Sequence, residues 1–216
     1  MHVIFRHGII HCRCALLGLT REKWIGFTCR PIFDRLDSNI ETMMMTSPLT
    51  GGLTADEFKM AFRHHPAGVA VITADIGNGP VGLTASSVFS VSADPAVLVF
   101  SLSADASAAP TILNADAVVV HMLLADQLDL AKLCATSGVD RFADTSLWDR
   151  LPTGEPYFKN VQARIRGRII NKMPIGNSTV VAVHALEAYI PDEEPASNPL
   201  VYHNRSWHHL GEHSKL

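Results

Sequence analysis

The chain's 216 residues are 47% hydrophobic, enough for one substantial core and too few for two full domains. A formal charge of -3 at pH 7, without any long Lys/Arg block, removes the attraction that drives nucleic-acid binding and excludes DNA and RNA as partners. No apolar run approaches the roughly 20 residues that cross a bilayer as a helix, because Arg, His, Gly or Asp interrupts each one; a soluble cytoplasmic protein with no membrane association is expected.

Residues 1–45 differ in character from the rest of the chain. Arg6, Arg13, Arg21, Arg30 and Arg35 are scattered among Cys12, Cys14 and Cys29 with no sustained helical or strand period, so this stretch is set outside the fold. The apolar residues around Ile9 and Leu16 are broken by His11 and Arg13, which is not the pattern of a secretory signal. Met43-Met44-Met45 before Thr46-Ser47-Pro48 points to a natural start there, leaving the leader as a gene-start artefact; a disordered tail or an import sequence is the alternative. Cys12-Arg13-Cys14 is spaced too tightly for the common zinc ligand pairs, and Cys134, alone in an apolar helical stretch, is expected to be a small buried hydrophobe.

The domain is taken to run from 54 to 210, with 211–216 as a tail. Thr54-Ala55-Asp56-Glu57 has the form of a capping box, and Phe58, Ala61 and Phe62 follow at helical spacing, so a short helix opens it. Gly68 to Thr73 reads as a strand, Gly77-Asn78-Gly79-Pro80 as a turn, and Val81 to Ser92 as its antiparallel partner. Asp94-Pro95 breaks the chain, Val97 to Leu102 reads as a buried strand, and Pro110 to Leu113 fits the first turn of a helix. Ala117 to Leu124 is again a strand. Asp126 through Ala135 predicts a helix with Asp126 as its cap, followed by a polar loop to Trp148.

The last third returns to strands. Val161, Ala163 and Ile165 alternate with Gln162, Arg164, Arg166 and Arg168, giving one buried and one basic face. Ser178 to Ile190 predicts a long central strand, and Leu200 to His203 one more. The fold class is therefore mainly β with short helices, an antiparallel barrel with helical insertions and not an alternating α/β sheet. Neither Gly-x-Gly-x-x-Gly after a strand nor a Walker-type loop occurs, so a nicotinamide nucleotide would not be held by a Rossmann domain.

Thr84, Ser86, Ser87, Ser90 and Ser92 crowd an otherwise apolar strand pair. A buried hydroxyl without a partner costs about 1 to 3 kcal/mol, so the cluster marks either an edge facing a polar ligand or a plain solvent-exposed Ser/Thr-rich edge.

Gly68-Val69-Ala70-Val71-Ile72-Thr73, Gly79-Pro80-Val81-Gly82-Leu83-Thr84-Ala85-Ser86-Ser87, Ser90-Val91-Ser92-Ala93-Asp94-Pro95 and Arg141-Phe142-Ala143 resemble, in order and spacing, the flavin reductase family with the FMN-binding split barrel. The similarity runs from about Phe58 to Trp207. His65-Pro66-Ala67-Gly68-Val69 and Arg141-Phe142-Ala143-Asp144 before Leu147-Trp148 are most similar to the NADH:flavin reductases of two-component monooxygenases. The resemblance implies a split β-barrel of Greek-key type and a homodimer. It further implies hydride transfer from NADH or NADPH to FMN or FAD, with reduced flavin passing to a monooxygenase. A flavin-binding electron carrier, or an oxidoreductase using another donor, is the alternative.

In the family, the segment matching Thr84, Ala85, Ser86 and Ser87 lies along the flavin, and small side chains there let backbone donors approach the ring. The turn matching Ser103 to Ser107 contacts the phosphate end. Here it contains Ser101, Ser103, Asp105, Ala106 and Ser107 before a helix whose first amides favour an anion, with helix capping as the plainer role of Asp105 and Ser107. Relatives often carry Arg beside that hydroxyl where this chain has Ala106 and Ser107, so Arg141 is a candidate to assist. His121 occupies a strand position where relatives place Asn or His near the ring; a core histidine bonded to backbone is the alternative.

Many relatives carry Gly-Asp-His before the long late strand, with the His tied to nicotinamide binding. This chain reads Gly176-Asn177-Ser178, so Asn177 and Ser178 can hydrogen-bond a carboxamide but cannot titrate near neutrality. Hydride transfer itself needs only the donor carbon and the acceptor nitrogen stacked about 3 to 3.5 Å apart. Leu200 to Trp207 resembles the family's closing strand and turn, so Tyr202 and Arg205 are candidates to meet the dinucleotide, with Trp207 beside them; a barrel-closing aromatic for Tyr202 and Trp207, and a solvated charge for Arg205, are the alternatives. His203, His208, His209 and His213 share no carboxylate or cysteine at ligand spacing and are taken as a polar tail, not a metal site.

Overall fold

The computed structural model describes residues 51–192 and 197–216. The expectations for residues 1–45, including the Met43 start and the Cys12–Cys14 spacing, lie outside the described residues.

Helix α1 (Ala55–Arg63) begins at the expected capping box. The Thr54 hydroxyl accepts from the Glu57 N–H at 3.3 Å and the Glu57 carboxylate accepts from the Thr54 N–H at 2.8 Å. After the short strand β1 (Ala67–Gly68), β2 (Ala70–Ala74) and β3 (Val81–Ala85) form the expected antiparallel pair. Their turn is held by the Asp75 carboxylate, which accepts from the Gly77 N–H at 2.7 Å and the Gly79 N–H at 3.2 Å. Then come β4 (Phe89–Ala93), β5 (Ala96–Ser103), α2 (Ala109–Asn114), β6 (Ala117–Met122) and α3 (Leu128–Ala135). They are followed by β7 (Trp148–Arg150), β8 (Pro156–Phe158), β9 (Ala163–Ile175), β10 (Ser178–Tyr189), β11 (Leu200–His203) and β12 (Ser206–His209). Asp126 is not the helix cap that the sequence predicts: a turn over Ala125–Gln127 precedes α3, and the Gln127 side chain accepts from the Leu124 N–H instead.

The main sheet has seven antiparallel strands in the order β3-β2-β6-β9-β10-β5-β4. Consecutive strands β3 and β4 thus lie on opposite edges, with only residues 86–88 between them. Four residue steps extend to at most about 14 Å, so the sheet must curl until its two edges nearly meet. That makes a barrel split along one seam. Val81 to Ser92, read from sequence as a single strand, is corrected to two: Ser86 and Ser87 leave one edge and carry the chain to the other.

Two cores result. Ile72 of β2, Phe100 of β5, Val120 of β6 and Val181 and Val183 of β10 converge inside the curl, where α2 adds Ile112. Val69 and Val71 face the opposite way into a second core with Cys134 of α3, Phe142, Phe158 and Leu200. Strand β2 separates the two, which is why all five of its residues are buried. Strands β9 and β10 approach so closely that a β-carbon on Gly167 would lie 2.3 Å from Val183 Cγ1. Two of the basic residues of β9 are engaged by neighbours. Arg164 lies 4.2 Å over the Tyr157 ring and 4.1 Å over that of Tyr189, and Arg166 meets Glu155 at 2.8 Å and Glu187 at 3.4 Å. Burial works to raise the Glu155 carboxyl, but the Arg166 guanidinium and Thr153 hydroxyl outweigh it and hold the group below the usual carboxylate range.

Candidate functional site

Ser86 and Ser87 stand at the split. Ser86 is exposed, while Ser87 is half-buried and ties the crossing to β5: its Oγ accepts from the Ser101 N–H at 2.9 Å and donates to the Ser101 carbonyl at 3.2 Å. Thr84 and Ala85 turn elsewhere. Thr84 donates to the Ala131 carbonyl of α3 at 2.7 Å, and the Ala85 side chain packs inside the barrel. These two can offer only backbone to anything lying on the seam.

A cleft of about 800 Å³ opens beside Ser86 and Ser87, within the usual range of ligand pockets. Its other walls are α1, the stretch from His65 to Gly68, and the β11–β12 turn with Tyr202 and Arg205. The turn residues Asn204 and Arg205 both adopt left-handed φ, 47° and 60°, as a two-residue hairpin of the favoured twist requires. Tyr202 packs edge-on to Trp207 with ring centroids 4.8 Å apart. The structure therefore joins Ser86 and Ser87 with Tyr202 and Arg205 around one space, although more than a hundred residues separate them in sequence.

A second group follows the same seam past the Ser87–Ser101 contact. Ser103 accepts from the Asp105 N–H at 3.3 Å, and Arg141 donates to the Ser107 hydroxyl at 3.3 Å while also holding the Cys134 and Thr136 carbonyls at the end of α3. Ala106 lies half-buried between them, its N–H donating to the Ser103 carbonyl. Neither Asp105 nor Ser107 caps α2, whose N-cap position is Ala108 and has no side-chain hydrogen bond. Asn177 and Ser178 belong to this group: Asn177 donates to the Asp105 carboxylate at 2.7 Å, its carbonyl accepts from the Ala104 N–H, and Ser178 pairs with Ser103 across the ladder. The four residues expected near the nicotinamide are thus divided, Tyr202 and Arg205 in the cleft and Asn177 and Ser178 beside the Ser103–Ser107 turn.

His121 is in neither group, which corrects its expected place beside a ring. Its Nδ1–H faces the Val71 carbonyl at 2.9 Å and its Nε2 accepts from the Phe158 N–H at 3.1 Å, in the second core with no exposed surface. Burial chiefly, with the charge of Arg164 adding to it, pushes this imidazole down to about 4 against the pull of the Val71 carbonyl. Both ring nitrogens are used, leaving none for a ligand. The cysteine expectation holds, since Cys134 is buried and burial pushes its thiol up to about 12. Among the described residues no three His, Cys, Asp or Glu side chains cluster as metal ligands, and His203–His208 and His209–His213 sit as ring pairs 5.6 and 5.2 Å apart. No helix among the described residues is long and apolar enough to cross a membrane.

Sequence reasoning missed Lys59 and Arg63, which line the cleft from α1, and also His65. An amphipathic opening helix gives no sign of which way its polar residues will face. Strand β12 was missed as well, because Ser206–His209 is polar and carries no strand period.

A curled antiparallel sheet with a hydroxyl-lined seam and a ligand-sized cleft against it is a split β-barrel with room for a small molecule. Residues 62–211 match the flavin reductase like domain, and the chain belongs to that family. It is 37% identical over 175 residues to the NADH:FMN oxidoreductase of Rhodococcus erythropolis, covering 79% of this chain and 89% of the relative. A reductase component of a 4-nitrophenol 4-monooxygenase/4-nitrocatechol 2-monooxygenase from Rhodococcus opacus is 27% identical over 154 residues, covering 71% of this chain and 80% of the relative. Among solved structures, a flavin reductase domain protein from Arthrobacter sp. FB24 superposes with a TM-score of 0.68 at 33% identity, over 73% of this chain and 96% of that one.

Proposed function

We propose that this protein is a flavin reductase that takes hydride from NADH, or NADPH, onto FMN or FAD and hands the reduced flavin to a monooxygenase. The observation that carries the reading is the meeting of Ser86 and Ser87 with Tyr202 and Arg205 around one cleft, in a chain of the flavin reductase family. A bound flavin supplies the electron-accepting ring; the protein supplies orientation, charge and exclusion of water. The residues present fit such a guest, since Ser86 is exposed at the seam and Thr84 and Ala85, their side chains turned away, leave backbone there.

On this reading Ser86, Ser87 and the adjoining backbone hold the ring edge. Ser101, Ser103, Ala106 and Ser107, with the Arg141 guanidinium against Ser107, hold the phosphate end. Asp105 fixes the Asn177 amide, which with Ser178 borders that end, while Tyr202 and Arg205 face the nucleotide donor. No titrating residue is required at positions 177 and 178, because hydride moves without a protein base.

The domain that does this work spans residues 54–210. What supports a homodimer is the edge strand β4, where Phe89 and Val91 are 61% and 57% exposed; a monomer mass in light scattering would remove that part. Handover to a monooxygenase is supported by the relative from Rhodococcus opacus, itself a reductase component. A cytoplasmic setting agrees with the use of a reduced nicotinamide nucleotide.

Anaerobic mixing with FMN or FAD and NADH is expected to bleach the flavin absorbance, and Ser86→Trp to abolish flavin binding in a titration. Absence of bleaching with either nucleotide would end the reductase reading. An unchanged titration would remove Ser86 from the site.

A further inference from the structure

We infer that helix α1 is the wall that receives the adenosine diphosphate half of a dinucleotide, with Arg63 and Arg205 gripping the pyrophosphate and the Phe58–Phe62 face taking the adenine. The inference rests on the function proposed above and adds to it a subsite outside the seam.

Charge comes first. The cleft's described lining contains Lys59, Arg63 and Arg205 and no carboxylate. Lys59 is 3.7 Å from Asp56, whereas among the described residues neither Arg63 nor Arg205 meets an acid. Two arginines lining one cleft without an acidic partner suit a ligand that brings its own negative charge, and guanidinium matches phosphate oxygens in bidentate fashion.

Position comes second. The Asn204 N–H donates to the Arg63 carbonyl at 3.0 Å, so the end of α1 is pinned to the hairpin turn that carries Arg205. The backbone segments that carry the two arginines are thereby joined, and both arginines line the cleft, with Ser86 and Ser87 on another wall.

Unfinished burial is the third observation. Helix α1 buries none of its nine residues. Phe58 and Phe62 lie with ring centroids 4.6 Å apart and remain 53% and 57% exposed, both lining the cleft. Exposed aromatic faces beside guanidinium groups provide the stacking and charge that a nucleotide base with its phosphates uses.

NADH and FAD both carry adenosine diphosphate, whereas FMN and reduced nicotinamide mononucleotide do not. Steady-state reduction by the full chain and by Arg63→Gln and Phe58→Ala variants, with three donor and acceptor pairs, separates the sources. With NADH and FMN, the variants are expected to raise KM for NADH roughly tenfold, equivalent to about 1.4 kcal/mol, with little change in kcat. With reduced nicotinamide mononucleotide and FMN, KM should hold. A rise confined to FAD, measured with the mononucleotide donor, places the adenosine diphosphate of FAD on the same wall and equally supports the inference.

An equal penalty in the pair lacking adenosine diphosphate overturns it, as does no change in any pair. A changed oligomeric state without a change in KM also overturns it and makes α1 a subunit contact. If the wild-type protein reduces no flavin, the proposed function fails on its own. Calorimetric titration with ADP alone then still decides, because binding that weakens about tenfold in Arg63→Gln upholds the wall and absence of binding removes it.

Discussion

Strand β2 and helix α1 are both rich in apolar residues, and the fold uses them in opposite ways. All five residues of β2 are buried, and none of the nine in α1 is. The strand lies between two cores, so whichever way a side chain points it meets a packed layer. The helix is anchored at its ends, by the Thr54–Glu57 box and by the Asn204 contact to Arg63, while its Phe58–Phe62 face looks into the cleft. An apolar pattern thus foretells an element but not the completeness of its cover, and the proposed site lies where the cover is missing.

The sharpest way to break this contrast is to truncate β2. Ile72→Ala, at a fully buried position, is expected to lower stability by about 2 to 5 kcal/mol in urea denaturation. A loss near zero would mean that the inner core does not hold the barrel together.

A smaller effect is expected from pH. Folded, His121 stays neutral down to about 4, whereas unfolded it takes a proton near its ordinary value of 6.5. Between those values the unfolded chain binds more protons, so this stabilisation is complete above pH 6.5 and drains away as pH falls toward 4, by on the order of 3 kcal/mol in full. The Asp75 and Glu155 carboxyls, both held below their usual values, add their losses at lower pH. His121→Gln should flatten the step between 6.5 and 4, and parallel stability curves for the two proteins would clear the imidazole of that role.

The smallest effect is expected on α1. Phe62→Ser removes an aromatic ring that is 57% exposed, and stability should change by no more than about 0.5 kcal/mol. A loss approaching that of Ile72→Ala would show that the helix face is structural after all.

Most elements could be read from the sequence because their signals are local. Thr54 and Glu57 are three residues apart, Asp75 reaches only to Gly79, and Leu200 to His203 is bounded as expected. What escaped is non-local. Strand propensity continues through Ser86 and Ser87, and only the pairing of β4 with β5 shows that the chain has changed edges there. His121 sits among valines that are buried on both faces, so alternation could not say which face it takes. The bond from Asn177 to Asp105 joins residues 72 apart and draws the late hairpin to the Ser103–Ser107 turn, away from Tyr202. For the site, the sequence yielded Ser86, Ser87, Tyr202 and Arg205 as separate candidates; their common cleft and the part of Arg63 in it depend on how α1 folds back.

The short crossing at Ser86–Val88 also sets a mechanical limit. Like a stitch joining two selvedges, it keeps the margins of the cloth from drifting apart, so the aperture beside it has a nearly constant width. On the proposed reading, that fixed width favours a flat guest over a bulky one.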